Sequence, residues 1–361
     1  MYSLESPSKV QLADFCKSTC KIDLLRNNIK SYVEDAKTFT QKVGNIYVEF
    51  AVEKNSFTYN FLNELLKHDN LEKLISEDIE YFITVINKFE TERVKKNFTV
   101  SDFYTKRMTK KRIERLTGHV LHANDIVDVT MVILYQIFVV EGYENGDVFD
   151  KARFVQSLDL RVCPYCDRAY IFSVENTDKK KGQRIVKPQI DHFFPKSKYP
   201  FLALSYQNLI PVCQTCNTIG AKGENDPIEG NMFRFPYPYR FKDDDIRFYC
   251  LFRGNKFFND DNYKIGIDYN SNTVLEEGCN NILSLNKLYE RHNHEAHKIF
   301  SQITMLQSKL VTYYKNLGIP KSQFTITPQL ILGFPFSAKA SRNELLYRFK
   351  KDMFEQFTGR K

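Results

Sequence analysis

Apolar residues recur at three- and four-residue spacing through most of residues 1–158, which is the pattern of amphipathic helices. The longest such stretch is residues 56–89, SFTYNFLNELLKHDNLEKLISEDIEYFITVINKF, and a second is residues 124–140, NDIVDVTMVILYQIFVV. We expect Asn124 or Asp125 to cap the second helix, because either side chain can accept a hydrogen bond from the unpaired amides of a first turn. Residues 1–158 are therefore predicted to form a helical region.

The pattern changes to short strands from residue 159. Residues 169–175 (AYIFSVE) have the composition of a strand, and residues 184–194 (RIVKPQIDHFF) could return antiparallel to them. Residues 208–213 (NLIPVC) predict another short strand, and residues 216–225 (CNTIGAKGEN) predict a brief helix that stops at glycine.

Helices return after one further pair of strands. Residues 246–252 (IRFYCLF) and 263–269 (YKIGIDY) alternate as strands do, and helical spacing then covers residues 281–318 and 341–357. We therefore predict a mostly helical α+β fold. Its regions are a helical region at 1–158, a central module at 159–240, and a C-terminal region of short strands followed by helices at 241–361.

Composition and charge restrict the class of protein. The chain has 361 residues, of which 42% are apolar, so it has room for two or three globular domains. It has neither an apolar run of eighteen residues nor the apolar stretch of a secretory signal at the N-terminus, so we expect a cytoplasmic protein without a membrane span. The net charge of +8 is concentrated in residues 93–96, 106–112 and 179–184, which suits either solvated faces or a polyanionic partner.

Four of the eight cysteines form two Cys-x-x-Cys pairs, Cys163 with Cys166 and Cys213 with Cys216. Two thiolates three positions apart on a tight turn can bind one tetrahedral ion, and two such turns complete a four-cysteine zinc site. Four sulfur ligands leave no open position for catalysis, so we predict a structural zinc that fixes the two ends of the intervening hairpin. The alternative is four buried free cysteines.

Side chains of a different chemistry lie beside the cysteine pairs. Asp191 and His192 are adjacent in IDHFFPKSKYP (190–200), Asn208 precedes the second pair, and Asn217 follows it directly. Asp and Asn offer the oxygen ligands that Mg²⁺ and Mn²⁺ prefer. An imidazole changes its charge near neutral pH, which suits His192 to act as a general base.

The ordered motifs Cys-x-x-Cys, Asp-His-x-x-Pro-x-Ser, Asn-Leu-Ile and Cys-x-x-Cys-Asn resemble the zinc-braced HNH endonucleases of the ββα-metal class. The resemblance covers residues 160–225, under a fifth of the chain. The longer segment KSKYPFLALSYQNLIPVC (196–213) is similar to HNH proteins of bacterial anti-phage systems such as Septu and related retron operons. The segment LNKLYERH (285–292) resembles the C-terminal part of those proteins. The resemblance implies a ββα-metal module within a mostly helical protein, and a DNA endonuclease whose activity depends on a separate partner such as an ATPase.

The resemblance also implies a role for each matching residue. The Asp of the Asp-His pair ligates the catalytic ion and the His activates water, which assigns these roles to Asp191 and His192. The central Asn, here Asn208, orients the loop that holds the His. The third motif position, often His, completes the metal site from the helix start, and here it is Asn217, which gives an H-N-N variant with catalytic Mg²⁺ or Mn²⁺. The lysine that usually follows on the helix corresponds to Lys222, although the residues TIGA space it differently, and it is expected to contact phosphate.

Two classes of function remain open from the sequence. A metal-dependent DNA endonuclease explains the cysteines together with the Asp-His pair, and it places Lys196 and Lys198 beside the phosphate backbone. A zinc-braced module that binds nucleic acid or protein without catalysis explains the cysteines and the charge, but it leaves the Asp-His pair incidental. The histidines of RHNHEAHK (291–298) could form a second metal site or an exposed polar helix face. A Walker A motif is absent from the sequence, so any ATPase would be another chain.

Overall fold

The protein is described here by a computed structural model. The basic segments 93–96 and 106–112, the cap candidates Asn124 and Asp125, and residues 179–183 lie outside the described residues. The described residues are 3–43, 46–92, 97–99, 126–171, 174–175, 184–186, 188–218, 221–229, 232–242, 244–254, 259–318 and 326–359.

Most of the described chain is helical. None of the described helices is both long enough and apolar enough to cross a membrane. Turns of π-helix cover Phe15–Thr19 and Gln136–Tyr143. The α-helices are α1 (Lys9–Asp14), α2 (Ile22–Val33), α3 (Phe57–Leu66), α4 (Asn70–Ser76), α5 (Ile79–Glu92), α6 (Val129–Tyr135), α7 (Lys151–Ser157), α8 (Gln214–Asn217), α9 (Thr273–Asn281), α10 (Leu285–Tyr289), α11 (Asn293–Asn316), α12 (Pro328–Leu332), α13 (Ala338–Asn343) and α14 (Tyr347–Thr358).

Each sheet among the described residues has two strands. This mixture of helices and small sheets confirms the predicted α+β class. The pairs are β1 (Thr38–Val43) with β2 (Ile46–Ala51), β3 (Asn97–Thr99) with β4 (Ile126–Asp128), β5 (Val174–Glu175) with β6 (Arg184–Val186), β7 (Gln189–His192) with β8 (Leu209–Val212), β9 (Ile228–Glu229) with β10 (Met232–Phe233), and β11 (Arg247–Phe252) with β12 (Tyr263–Asp268).

The chain divides into two compact units. The helical unit comprises Pro7–Phe154 and His192–Leu209, and the cysteine unit comprises Met1–Ser6, Val155–Asp191 and Ile210–Lys361. The sequence-based regions 1–158, 159–240 and 241–361 stay predictions of domain organisation.

The helical unit departs from the predicted elements in three places. Residues 56–89 form three helices, because two backbone breaks divide them. His68 between α3 and α4 has a left-handed backbone with a φ of 49°, and Glu77 after α4 is extended. The predicted cap of the next helix was wrong: Asp128 is the N-cap of α6, and its side chain accepts a hydrogen bond from the Met131 amide at 3.3 Å. The β1–β2 hairpin was missed, because neither of its strands, TFTQKV and IYVEFA, alternates strictly between polar and apolar residues.

The segment that follows His192 is anchored in the core of the helical unit. Phe201 is fully buried, and its ring centre lies 5.4 Å from that of Phe61 and 4.8 Å from that of Phe89. Gly142 allows the π-helical turn to approach the same segment, since a Cβ at this position would lie 2.9 Å from Leu204 Cδ1. Aromatic packing of Phe201 therefore fixes the loop that follows the predicted base.

In the cysteine unit, a hairpin packs against the C-terminal helix. Strands β11 and β12 pair antiparallel, which confirms the two strands predicted there. The outer edge of β11 bonds to α14: the Phe248 amide donates to Asp352 at 2.8 Å, and the Cys250 amide donates to the Gln356 side chain at 2.8 Å. These side chains occupy backbone groups that an open strand edge would leave exposed. The predicted antiparallel return of residues 184–194 is confirmed for β5 and β6.

Candidate functional site

The cysteines of the two Cys-x-x-Cys pairs lie together in the cysteine unit. All four are buried, and their sulfur atoms lie within 4.8 Å of one another. The sulfurs of Cys166 and Cys213 are 3.8 Å apart. Zn–S bonds of about 2.3 Å at tetrahedral angles separate two sulfurs by about 3.8 Å. The cluster therefore has the donor type and spacing to hold a metal such as zinc.

Two backbone turns bring these thiols into one volume. In the first, the Cys163 amide donates to Ala169 O at 2.9 Å, and the Asp167 amide donates to Cys163 O at 2.8 Å. In the second, Cys213 is the N-cap of α8, and the Asn217 amide donates to Cys213 O at 3.3 Å. Helix α8 begins earlier than the helix predicted at 216–225 and ends at Asn217, because Thr218 has an extended backbone.

Proximity changes the acidity of the clustered thiols. Hydrogen bonding to Cys163 lowers the pKa of Cys166 and of Cys213 below the usual thiol range. Burial raises the pKa of Cys163 itself. A divalent cation bound by the cluster would supply the positive charge that lets all four sulfurs ionise.

Asp191 receives one contact from each cysteine turn. Tyr165, which lies between Cys163 and Cys166, donates its hydroxyl to Asp191 Oδ2 at 2.7 Å. Lys222, whose amide donates to Cys216 O at 3.2 Å, places its Nζ 3.2 Å from Asp191 Oδ1. The two turns that gather the thiols therefore also position the predicted metal-ligating carboxylate, which is only 3% exposed.

Lys222 lies away from the surface position expected of a phosphate contact. Its side chain is fully buried in a salt bridge with Asp191, and its Nζ lies 5.9 Å from the centre of the Phe235 ring. Loss of either partner of such a pair would leave an uncompensated buried charge. Asp191 and Asn217 offer oxygens of the type that Mg²⁺ prefers, but the positive charge beside Asp191 in this structure is Lys222.

Asn217 lies along the face of β7 that carries Asp191. Its side-chain amide donates to Gln189 Oε1 at 2.9 Å. Side chains two positions apart on a strand point to the same face, so Gln189 and Asp191 share one. The structure therefore brings both predicted metal ligands to one face of β7.

His192 is the next residue of β7, and its neighbours belong to the helical unit. It is 6% exposed, and its Nε2 lies 3.1 Å from Ala203 O. The Tyr143 ring meets the imidazole edge-on with 4.5 Å between ring centres. A carbonyl oxygen can only accept, so Nε2 carries the proton, and Nδ1 is then the basic nitrogen of the neutral ring. This tautomer suits a general base that acts through Nδ1.

Asn208 connects the two ends of the segment that follows His192. Its carboxamide accepts a hydrogen bond from the Phe194 amide at 2.7 Å and donates to Phe194 O at 3.2 Å and to Leu202 O at 2.9 Å. The backbone oxygen of Asn208 also accepts from the Phe193 amide at 2.8 Å. This fully buried side chain therefore fixes the backbone directly after His192, the position expected of a loop-orienting Asn.

Basic side chains surround Tyr143, the neighbour of His192. Lys196 forms a salt bridge with Glu144 at 3.1 Å, and its Nζ lies 5.1 Å from the centre of the Tyr143 ring. Lys151 approaches the same ring to 4.1 Å. Lys198 is exposed. The helical unit thus presents three ammonium groups on the segments next to His192.

The three histidines near α11 do not form a second metal cluster among the described residues. His292 accepts a hydrogen bond from Arg168 Nε at 2.9 Å, and burial lowers its pKa to about 4. His297 pairs with Asp260, and His294 is exposed. The three histidines therefore contact different residues.

Sequence reasoning missed four residues around the site. Tyr165, Gln189 and Tyr143 contact predicted site residues, and Lys151 contacts Tyr143. Tyr165 and Gln189 had a local signal, because one lies inside a Cys-x-x-Cys pair and the other lies two strand positions before Asp191. Tyr143 and Lys151 had none, because only the tertiary fold brings them to the segment that holds His192.

Comparison with curated proteins finds a local similarity. The chain is 45% identical over 38 residues to Septu protein PtuB of Bacillus thuringiensis, a match that covers 10% of this chain and 14% of PtuB. No protein-family model matches the chain, and no solved structure matches it. The similarity is confined to a short segment.

Proposed function

We propose that this chain is a metal-dependent HNH endonuclease that hydrolyses phosphodiester bonds of DNA. The observation that carries the proposal is the arrangement around β7. Asp191 is held by side chains from both cysteine turns, and His192 has a tautomer fixed by Ala203 O. The local similarity to a Septu protein supports a further part of the proposal, that the chain is the nuclease of an anti-phage defence system with a separate protein partner.

The proposed reaction is attack of water on a phosphodiester. Asp191 and Asn217 would hold Mg²⁺ or Mn²⁺, and the bound ion would offset negative charge on the phosphate and leaving oxygens. His192 accepts a proton from water at Nδ1 as the water oxygen bonds to phosphorus. The bond from phosphorus to the leaving oxygen then breaks, and this oxygen takes a proton from solvent. A base in this position contributes roughly 10²–10⁴-fold to the rate.

The other side chains of the site have positioning and binding roles in this proposal. Asn208 holds the backbone after His192, so the imidazole keeps one orientation through the reaction. Lys196 and Lys198 contact the DNA backbone, and Lys151, whose ammonium also approaches the Tyr143 ring, adds a third positive charge. A zinc ion in the four-cysteine cluster serves structure and not chemistry.

Replacement of the base tests the proposal. We expect His192→Ala to abolish nicking of supercoiled plasmid in Mg²⁺ or Mn²⁺, with zinc content unchanged. His294→Ala removes an exposed histidine outside the site and should cleave as the wild type does. The assay includes the proteins encoded beside the gene, because a defence nuclease can depend on its partner. Equal cleavage by His192→Ala and wild type would contradict the proposal.

Burial of the Asp-His pair favours a second candidate, a binding module without catalysis. Asp191 is 3% exposed and His192 is 6% exposed, so a substrate reaches them only after a local rearrangement. This candidate predicts tight binding to DNA or a protein without cleavage in any metal tested with partner proteins present. Its binding would also be insensitive to His192→Ala.

A further inference from the structure

We propose that Lys222 controls metal loading, because it occupies the Asp191 carboxylate as a cation that Mg²⁺ or Mn²⁺ must displace. The inference rests on the proposed nuclease function and concerns regulation of the same site. It makes Lys222 a positioning residue that acts through Asp191.

The geometry allows one cation at this carboxylate. Lys222 Nζ lies 3.2 Å from Asp191 Oδ1, and the two side chains are 0% and 3% exposed. A Mg²⁺ ligand distance is about 2.0–2.1 Å, so an ion on Oδ1 would lie a few ångströms from the ammonium, with little water to screen their repulsion. Tyr165 bonds the other oxygen, Oδ2, and can stay where it is.

The lysine can leave without unfolding the turn that carries it. Its amide bonds to Cys216 O at 3.2 Å, and its carbonyl accepts from the Asn225 amide at 2.9 Å, so the cysteine turn anchors the backbone. The ammonium sits at the end of a flexible four-carbon chain and can move by rotation of side-chain bonds alone. The salt bridge can therefore open while the four-cysteine cluster stays intact.

A buried carboxylate needs a positive partner for the chain to fold, and Lys222 supplies it before any divalent ion arrives. The same contact lowers the affinity of Asp191 for the ion. The site then stays closed to metal until the lysine is displaced, which keeps an unloaded nuclease inactive.

Calorimetric titration of Mn²⁺ into the full zinc-containing chain tests the inference. We expect Lys222→Met to bind Mn²⁺ about ten-fold more tightly than wild type, because the competing cation is gone. Asp191→Asn should lose this binding, and Lys264→Met, which removes an exposed strand lysine, should match the wild type.

The outcomes separate the two proposals. Equal Mn²⁺ affinity of wild type and Lys222→Met, lost in Asp191→Asn, would overturn the role of Lys222 and leave the nuclease proposal standing. Mn²⁺ binding that does not depend on Asp191 in any variant would instead overturn the proposed catalytic metal site, and the inference with it.

A second measurement uses the wild-type chain, in case Lys222→Met does not fold. Acylation of lysine amines, read by mass spectrometry, should leave buried Lys222 unmodified in buffer without Mn²⁺ and modify it when Mn²⁺ is saturating. Exposed Lys264 should react equally in both conditions. Unchanged protection of Lys222 at saturating Mn²⁺ would refute displacement.

Discussion

The hydroxyl of Tyr165 donates a hydrogen bond to the carboxylate of Asp191 at 2.7 Å, and both side chains are buried. Because Tyr165 lies between Cys163 and Cys166, one side chain links the cysteine cluster to the predicted metal ligand. The turn that positions two thiols therefore also determines where Asp191 points.

Removal of this hydroxyl should weaken the site without emptying the cysteine cluster. Tyr165→Phe keeps the ring that packs 6.0 Å from Phe235 and leaves a buried carboxylate oxygen short of a donor. We expect the free energy of unfolding to fall by about 1–3 kcal/mol, with zinc content unchanged. Chemical denaturation and elemental analysis measure both quantities. Tyr249→Phe, at an exposed tyrosine, should show no such loss, and equal stability of the two variants would refute this role of Tyr165.

The cluster itself should bind zinc in the purified chain. Cys213→Ser replaces one of the four sulfurs, so we expect loss of zinc and a lower melting temperature, because a partial site binds the ion weakly. Cys16→Ser changes a cysteine outside the cluster and should keep the metal. Zinc retained in Cys213→Ser, by elemental analysis, would argue against the four-sulfur site.

The sequence allowed prediction of local features of the site better than of its long-range contacts. The sequence was sufficient to assign the two Cys-x-x-Cys turns to one metal site, because the two cysteines of each turn have a spacing that suits one ion. The candidates Asp191, Asn208 and Asn217 were identified from the same short segment of sequence. The burial of Lys222 did not, since it depends on how the residues after α8 turn back to β7.

The helical unit shows the same limit. Helical spacing located α3, α4 and α5 as one stretch, but left-handed His68 divides the first two, a backbone state that helical spacing does not reveal. Tyr143 and Lys151 reach the segment of His192 only through tertiary packing.

Asn208 should be essential for the order of the segment after His192. Asn208→Ala leaves the buried Phe194 amide without its acceptor, which costs about 1–3 kcal/mol, and it leaves the Leu202 carbonyl with the Ser205 amide as its remaining donor. Hydrogen exchange of the Phe194 amide should become faster. Asn208→Asp keeps the acceptor for this amide but loses the donors, so it should protect Phe194 better than Asn208→Ala does. Equal exchange in wild type and Asn208→Ala would show that the contact does not order the loop.

Stability should depend on pH through His292. Burial lowers its pKa from 6.5 to about 4, so between these values the unfolded chain binds the proton that the folded chain rejects. The stability that the folded chain gains by holding His292 neutral is fully present above about pH 6.5 and is lost as the pH falls towards 4. His292→Gln keeps an acceptor for Arg168 and does not titrate, so the wild type should lose about 1–2 kcal/mol more than this variant, a partly screened effect. Denaturation at pH 7 and pH 4.5 measures the difference, and parallel losses would disprove it.

The ammonium groups around Tyr143 should bind DNA through its phosphates. Lys151 and Lys196 approach one ring that contacts His192, so backbone phosphates at the scissile position would lie near both. Each lysine that neutralises a phosphate releases condensed counterions, which makes affinity fall with salt. We expect Lys151→Ala and Lys196→Ala each to weaken duplex binding for every sequence and to reduce the slope of log K against log salt by about 1.

Fluorescence anisotropy across a salt series measures this slope, and the double variant should lose about 2. Lys264→Ala, on the exposed face of β12 in the cysteine unit, serves as the control with an unchanged slope. A sequence-dependent loss would indicate base contacts instead of phosphate contacts. An unchanged slope in the double variant would place the DNA on another surface, because phosphate neutralisation is the interaction that these two ammonium groups can supply.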